Sequence, residues 1–286
     1  MKSNHIEYLE RMAESAHFST KQNIPSIILS NGCRSVLDVG CADGSFTNKI
    51  RESTGAVVTG IDNNPRNIKL AKKKFPDIRF IEAEIGKLEP NEKFDCVVFC
   101  SVMHEISSYF PITGMRYTKT PIKNAIVKAW EHLNPNGIMI IRDGLSTSYP
   151  IWRYFTRVRF VDKKTARLFK KFMDGDFLPL NNSNVYDKTR YIEMEKDSLF
   201  YVEQELLMEF LLTATWGQRS WKRETKERKL ICDKGEWYDL IEENGFIVES
   251  YLQTNEEYSK YFKNICDFEK GWNLPETTCL IVARKS

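Results

Sequence analysis

The sequence predicts a doubly wound α/β fold, in which a mostly parallel sheet carries helices on both faces. The first observation is a short apolar run, Val36–Val39, followed by a glycine-containing loop and a stretch with helical character, Ser45–Arg51. The second is that similar apolar runs alternate with amphipathic stretches over the first half of the chain. Short apolar runs between helices are typical of strands buried on both faces of a parallel sheet.

The individual elements follow from the same patterns. Strands are expected at Val36–Val39, Ala56–Ile61, Ile78–Ala83, Phe94–Cys100, Ile138–Ile141, Phe246–Leu252 and Thr278–Ala283. Helices are expected at His5–His17, Lys21–Leu29, Ser45–Arg51, Arg66–Lys74, Ile122–Leu133 and Glu236–Glu243. Gly137 and Gly245 follow the last two helices, where a left-handed backbone is common.

Composition places the chain in an ordinary class. Of its 286 residues, 42% are hydrophobic and 28% are charged, as in typical globular proteins. No apolar run approaches the ~20 residues of a membrane span, and the N-terminus lacks the apolar core of a signal peptide. The seven cysteines contain no C-x-x-C pair and the four histidines are scattered. We therefore expect a cytoplasmic protein with reduced thiols, no metal site and no membrane contact.

The loop Gly40–Gly44 predicts a ligand site at the carboxyl end of the first strand. Its two glycines let the backbone turn sharply and approach a ligand closely, and the amides of the following helix would face that ligand. The dinucleotide fingerprint G-x-G-x-x-G needs glycines where this chain has Ala42 and Ser45. The carboxylates of Asp38 and Asp43 would also repel a pyrophosphate. A ligand with a cationic amine and a sulfonium suits this loop better.

The segment VLDVGCADG, residues 36–44, resembles motif I of the class I (Rossmann-like) S-adenosylmethionine-dependent methyltransferases. The resemblance implies methyl transfer from S-adenosyl-L-methionine, with S-adenosyl-L-homocysteine as product. It also implies a seven-stranded sheet with an antiparallel last strand. The chain departs from the usual G-x-G-x-G pattern only at its middle glycine. The residues implied to bind the methionine end of the cofactor are Asp38, Gly40, Cys41, Ala42, Asp43 and Gly44.

Two further strand ends supply the remaining expected cofactor contacts. Asp62 ends the second strand, where its two oxygens can accept hydrogen bonds from both ribose hydroxyls, and Asn63 follows it. After the third strand, the resemblance implies that Glu84 binds the adenine amino group. It also implies that the backbone amide of Ile85 binds an adenine ring nitrogen.

The edge after the fourth strand is the expected reaction side, because ligands bind open α/β sheets beside the switch in strand order. The cofactor-binding residues expected there are Ser101, Val102 and Met103. His104 is a candidate general base because its pKa suits neutral pH, with Glu105 beside it. Asp143, at the end of the fifth strand, is the third candidate catalytic residue. The alternatives are a packing role for His104 and a loop cap for Asp143.

The core requires residues 1–145, with N-terminal helices, and residues 235–286, which leaves 146–234 as an insertion. Because the insertion follows the reaction-side end of the fifth strand, we expect it to form a largely helical lid over the acceptor. Two parts of it are strongly basic. Residues 151–171 contain eight cations and one acid, and residues 217–230 contain six cations and two acids.

The basic stretches leave the acceptor open. A small molecule or natural-product intermediate with an O or N nucleophile is the leading hypothesis, and a basic lid also suits an anionic one. RNA is the alternative partner, through residues 151–171 and 217–230, since cations among aromatics suit phosphate contacts and base stacking. A simpler interpretation of the first stretch is an amphipathic helix with an apolar stripe of Val158, Val161, Leu168 and Phe169. A non-catalytic, cofactor-binding regulatory protein is the third hypothesis.

Overall fold

The computed structural model describes residues 20–89, 91–110, 116–147, 155–181, 191–255, 261–269 and 274–286. The strands are β1 Ser35–Val39, β2 Val57–Asp62, β3 Arg79–Glu82, β4 Phe94–Cys100, β5 Leu133–Gly144, β6 Phe155–Phe160, β7 Tyr191–Glu195, β8 Leu199–Glu203, β9 Phe246–Thr254, β10 Cys266–Phe268 and β11 Thr278–Lys285. The helices are α1 Asn23–Ser30, α2 Ser45–Thr54, α3 Pro65–Lys74, α4 Met103–Tyr109, α5 Thr120–His132, α6 Lys163–Lys171, α7 Leu178–Asn181, α8 Gln204–Ala214, α9 Trp221–Glu224 and α10 Lys234–Glu242. No helix within these ranges combines the length and the apolar character that crossing a bilayer requires. The expected helix His5–His17 lies outside the described residues.

Seven strands form one large sheet in the order β3-β2-β1-β4-β5-β11-β9. The first five of these pair in parallel, whereas β11 is antiparallel to both of its neighbours. The predicted doubly wound sheet with an antiparallel last strand is therefore confirmed. The strand order switches between β1 and β4, so the loops that follow these two strands lie side by side.

Helices cover both faces of the large sheet, as its apolar strands require. Successive residues of a strand point to opposite faces, and Val36 and Leu37 of β1 are both fully buried. Leu37 belongs to the cluster that α5 and α10 complete, and Val36 to a cluster with α1 and α2. Burying each such side chain contributes about 1.5–3 kcal/mol to folding. The sheet is thus a well-packed base for the loops at its edge.

The segment between β5 and α10 is not the largely helical lid that the sequence predicts. The strands β10-β6-β8-β7 form a second, antiparallel sheet, and β10 joins it from residues outside 146–234. Within β6, Val158 is buried and Arg157 and Arg159 are exposed, which is the period of a strand. Val161, expected on a helical apolar stripe, is 52% exposed. The alternation of buried and exposed residues in β6 covers few residues, and α6 follows it almost directly. A helical spacing of apolar residues therefore fitted β6 and α6 when they were taken as one element.

The second sheet has an aromatic core of its own. Phe169 lies at the centre of this core, with its ring centroid 5.0 Å from that of Phe200 and 5.1 Å from those of Phe160 and Phe210. Such tilted and edge-to-face pairs contribute about 0.5–1.5 kcal/mol each beyond burial. The helix α8 crosses this core, and its buried Glu209 accepts hydrogen bonds from backbone amides of the chain that leads back to the large sheet. The aromatic cluster therefore anchors that returning chain.

The returning chain crosses the end of β5 in close contact. The backbone nitrogens of Lys229 and Leu230 each lie 2.9 Å from a carboxylate oxygen of Glu209. A Cβ atom built on Gly144 would lie only 1.8 Å from the carbonyl oxygen of Lys229. Only glycine therefore allows the inserted segment to cross the end of β5 here.

We predict that Gly144→Ala lowers the free energy of unfolding by about 3 kcal/mol, because a backbone segment must move to admit the methyl group. Gly235→Ala is the matched control, since its Cβ would meet only Asp233 Oδ1, at 3.4 Å. Alanine is also the better helix former, so the control should stay within about 1 kcal/mol of wild type. Urea unfolding monitored by circular dichroism measures both. Equal midpoints for the two variants would contradict the crossing.

Candidate active site

A cavity of about 640 Å³ lies at the carboxyl edge of the large sheet. Its walls come from the loops after β1, β2, β3 and β4, from α4 and α5, and from one residue of the insertion, Arg223. This position beyond the switch in strand order is where open α/β sheets bind ligands. Its volume is typical of sites for small molecules.

The cavity brings together most of the residues that the sequence predicts. Those that line it are Gly40, Ala42, Asp62, Asn63, Glu84, Ile85, Ser101, Val102 and Glu105. The predicted residues that do not line it are Asp38, Cys41, Asp43, Gly44, Met103, His104 and Asp143. The second group supports the lining from behind, as the contacts below show.

The loop after β1 lies directly against the start of α4. Gly40 has a φ of +76°, and a Cβ atom on it would lie 2.6 Å from Val102 Cγ2. Ala42 also has a positive φ, of 49°, which is uncommon for a residue with a side chain. Its backbone N–H compensates by donating to Asp62 Oδ2 over 3.0 Å. The carboxylate at the end of β2 thus holds the loop after β1 in place.

Asp62 is oriented before any ligand arrives. Its Oδ1 accepts from the backbone N–H of Asn64 at 2.8 Å and from Asn67 Nδ2 at 3.1 Å. With the bond from Ala42, three donors fix the carboxylate at the cavity wall. An ionised carboxylate has about four lone-pair sites, so acceptor capacity remains for a bound ligand.

Asp38, within β1, and Asp43, in the loop after β1, are both buried in the protein interior. Asp38 Oδ2 accepts from Thr47 Oγ1 at 2.6 Å, and burial raises the pKa of Asp38 to about 6. Asp43 forms an ion pair with Lys74 and accepts from the backbone N–H of Ser45 at 3.1 Å. Asp38 and Asp43 therefore fix the start of α2 from inside. The charge of Asp43, expected to attract a cationic ligand, is paired with Lys74.

Cys41 and Gly44 fix the same loop by packing. Cys41 is buried in a small cluster with Ile68 and Phe80, and burial raises the pKa of its thiol. Gly44 has a φ of +78°, and a Cβ on it would lie 2.6 Å from the ring of Phe80. At the third strand end, the Glu84 carboxylate lies 2.8 Å from Lys87 Nζ.

The start of α4 is held by Asp143. The backbone N–H of Met103, a fully buried residue, donates to Asp143 Oδ2 over 2.7 Å. Ser101 has a positive φ of 60°, and its hydroxyl accepts from Arg142 Nη1 at 2.5 Å. Burial alone would raise the pKa of Asp143, but His104 and the backbone amides that it accepts from hold it below the ordinary value. Asp143 is thus an ionised cap at the reaction-side edge.

His104 lies between two carboxylates. Its Nδ1 is 2.7 Å from Asp143 Oδ1, and its Nε2 is 3.8 Å from Glu227 Oε2. Burial favours the neutral ring, but the two carboxylates overcome this effect and raise the pKa of His104 above its ordinary value. The ring does not line the cavity. Its contacts suit a residue that positions α4 better than one that touches a substrate.

Glu105 is the candidate catalytic residue that faces the cavity. Its Oε1 accepts from Arg223 Nη2 at 2.8 Å. Burial and the nearby charge of Glu227 raise the pKa of Glu105 to about 7, against the opposing effect of Arg223. A carboxylate with this proton affinity can accept a proton near neutral pH.

Glu227 connects the insertion to the core, and the sequence gives little sign of it. It accepts from Tyr109 Oη at 2.8 Å, from Arg223 Nε at 3.3 Å and from Lys229 Nζ. Burial alone would raise the pKa of Glu227, but Lys229, His104 and Arg223 lower it to about 2. The one sequence feature that could have indicated Glu227 is that it is one of two acids within the otherwise basic stretch 217–230.

His104, Glu105 and Glu227 offer ligand atoms within 4.8 Å of one another, a spacing that a metal ion could use. Glu227, however, already binds Lys229 and Arg223. A metal cation would have to compete with two fixed positive charges. The arrangement therefore favours an ion-pair network.

Residues 36–137 match a family model described as a methyltransferase domain. The chain carries a class I methyltransferase domain. This confirms the resemblance found in motif I and the dependence of the domain family on S-adenosyl-L-methionine. The trans-aconitate 2-methyltransferase of Shigella flexneri is 31% identical over 87 residues, which cover 28% of this chain and 34% of that protein. The enzyme of that name from Rhizobium etli is 31% identical over 80 residues, with 28% and 31% covered.

The chain thus spans about a third of the length of the curated relatives it matches. Over the whole chain the methyltransferase fold is shared with solved structures. DesVI of Streptomyces venezuelae aligns with a TM-score of 0.52 at 13% identity, covering 98% of this chain and 96% of that one. Human N-acetylserotonin methyltransferase aligns at 0.53 and 12%, covering 99% and 57%. At these identities the likeness concerns the fold alone.

We predict that His104 titrates above pH 6.5 and that Asp143→Asn lowers its pKa more than Glu227→Gln, because Asp143 makes the shorter contact. The stability that protonated His104 contributes is then fully present below pH 6.5 and is lost as pH rises through the raised pKa. Histidine-selective NMR titration measures the pKa, and His104→Asn assigns the signal. A pKa at or below 6.5 would contradict the two-carboxylate environment.

Proposed function

We propose that this methyltransferase domain transfers a methyl group from S-adenosyl-L-methionine to an O or N nucleophile of a small-molecule acceptor. The observation that carries the proposal is that one cavity joins two walls of different character. One wall is formed by the loop that contains Gly40 and by the strand end that carries Asp62. The other contains Glu105, Tyr109 and Arg223, which belong to α4 and the insertion. A donor and an acceptor can therefore share one cavity.

The residues present fit the cofactor. The close approach of Gly40 to Val102 leaves space for backbone only, as a ligand-binding glycine turn requires, and Asp62 is pre-oriented at the wall. We assign the methionine end to the loop Gly40–Gly44, the ribose to Asp62 and the adenine to Glu84 and Ile85. When bound, the cofactor supplies an electrophilic methyl group on a sulfonium.

The task of the chain is then alignment, proton removal and exclusion of water. Glu105 lies on the acceptor wall with an elevated pKa, so it is the group that can take a proton from the acceptor. Arg223 fixes the Glu105 side chain through Oε1. His104 and Asp143 hold the first turn of α4, which carries Glu105. Their effect on the reaction therefore comes from fixing the position of Glu105.

The contacts of the basic stretches favour a small molecule over RNA. Arg159 lies 2.6 Å from Glu195, Lys170 lies 2.9 Å from Glu193, and Arg167 lies 3.2 Å from Asp197. Within the described part of that stretch, the rings of Phe160 and Phe169 are buried in the aromatic core. Paired cations and buried rings offer few sites for phosphates and bases. The relatives reported above are named for trans-aconitate and N-acetylserotonin, which are both small molecules.

We predict that Asp62→Ala weakens binding of S-adenosyl-L-methionine by about 10–100-fold, the loss of a hydrogen-bonding charged group. Isothermal titration calorimetry measures the Kd. Asp77→Ala, an exposed acid in the turn before β3, is the matched control and should bind like wild type. Thermal melting confirms that each variant is folded. Unchanged binding by folded Asp62→Ala would refute the assigned site.

We further predict that methyl-labelled cofactor, incubated with the protein and with metabolite and RNA pools, labels the low-mass fraction. Mass spectrometry of that fraction identifies the product. Label in RNA, together with RNA binding that weakens as salt rises, would instead support the RNA hypothesis. Cofactor binding without transfer to either pool would support a non-catalytic regulatory protein.

A further inference from the structure

The two carboxylate oxygens of Glu105 differ in their surroundings. Oε1 accepts from Arg223 Nη2 at 2.8 Å. Among the residues that the structure describes, Oε2 has no hydrogen-bond partner, although the side chain lies on the cavity wall and is 26% exposed. The wall therefore presents an open acceptor oxygen to whatever molecule enters.

The positive charges on the cavity wall are already engaged. Arg223 binds both Glu105 and Glu227, and Lys87 lies 2.8 Å from the Glu84 carboxylate. The hydroxyl of Tyr109 donates to Glu227. The open polar atom at this end of the cavity is thus an acceptor with negative charge. A carboxylate would be repelled there, whereas a group with N–H or O–H donors would be bound.

We propose, on the basis of the methyltransferase function proposed above, that the acceptor atom is an amine nitrogen and that Glu105 Oε2 receives its proton. An amine enters as an ammonium ion, which the carboxylate attracts. Ile106, Phe110 and Pro121 line the same cavity. They would pack against an apolar part of the molecule that carries the amine.

Proton affinity separates an amine from a hydroxyl. Amino groups release a proton at about pH 8–10, within reach of a carboxylate whose pKa burial and Glu227 raise to about 7. An aliphatic hydroxyl holds its proton nearly as tightly as water, whose pKa is about 15.7. The charged groups facing Glu105 are His104 on its own helix and Arg223, Glu227 and Lys229 on the inserted segment.

The step balances without a further reactant. The ammonium gives one proton to Glu105 Oε2 and becomes a neutral amine. The nitrogen lone pair forms a bond to the methyl carbon while the carbon–sulfur bond of the donor breaks. The electron pair of the broken carbon–sulfur bond stays on sulfur. The products are S-adenosyl-L-homocysteine and an N-methylammonium ion. Glu105 then returns its proton to solvent.

The test uses the full chain, labelled cofactor and a library of matched triads, in which each amine is paired with the alcohol and the carboxylic acid of the same skeleton. We expect transfer in the amine arm only.

Glu105→Gln should lower kcat by at least about 100-fold, as for loss of a general base, while the Kd for the cofactor changes less than about threefold. The rise of the wild-type rate with pH near 7 should disappear in this variant. Glu242→Gln, an exposed acid on α10, is the control and should retain wild-type rates.

The outcomes separate this proposal from the one on which it rests. An O-methyl or methyl-ester product, from the library or from the metabolite pool, overturns the amine assignment and leaves the methyltransferase function standing. A wild-type rate for Glu105→Gln with an amine overturns the role of Glu105. No product in any arm or pool, with cofactor still bound, overturns both proposals.

Discussion

The buried carboxylate of Glu227 imposes the constraint on which the candidate site depends. An ionised carboxylate removed from water costs several kcal/mol unless charges and donors compensate for it. Lys229, Arg223 and Tyr109 supply that compensation at hydrogen-bonding distance, with His104 nearby. Tyr109 and His104 belong to α4 of the core, whereas the two cations belong to the inserted segment. The contacts of Glu227 with Tyr109 and His104 therefore hold the inserted segment against α4 of the core.

This packing also determines the chemistry of the cavity wall. Arg223 spans the carboxylates of Glu227 and Glu105, and so the two acids share one environment. When two such groups interact strongly, their protonation is coupled and one takes the proton before the other. The cations around Glu227 keep it ionised, and burial together with that negative charge raises the pKa of Glu105. A residue that does not line the cavity thereby contributes to the proton affinity of one that does.

The parts of the site built from short-range signals could be predicted from the sequence. The glycine turn at Gly40 and the acid at Asp62 follow directly from strand ends, because a parallel sheet places all such ends at one edge. The burial of Asp43 against Lys74 was not predictable in this way. The two residues are 31 positions apart, and the motif alone suggests a charge that faces the ligand.

Long-range pairing explains the remaining differences. Arg223 and Glu227 meet Glu105 and Tyr109 across 118 residues of sequence, and no local periodicity carries that information. The β6 strand was obscured for a different reason, since its alternation is short and adjoins a true helix. In both cases the segment is organised by what it packs against and not by its own propensity.

The basic excess of the insertion illustrates the same point and bears on the acceptor. Read along the chain, residues 151–171 resemble an anion-binding surface. In the fold, Arg159, Arg167 and Lys170 meet acids of β7 and of the turn after it, so these three charges are paired within the second sheet and the helix packed on it. On the wall formed by α4 and the insertion, the described residues leave the Glu105 Oε2 oxygen without a hydrogen-bond partner. Local charge composition therefore points toward an anionic partner, while the folded site presents a hydrogen-bond acceptor suited to a cationic one.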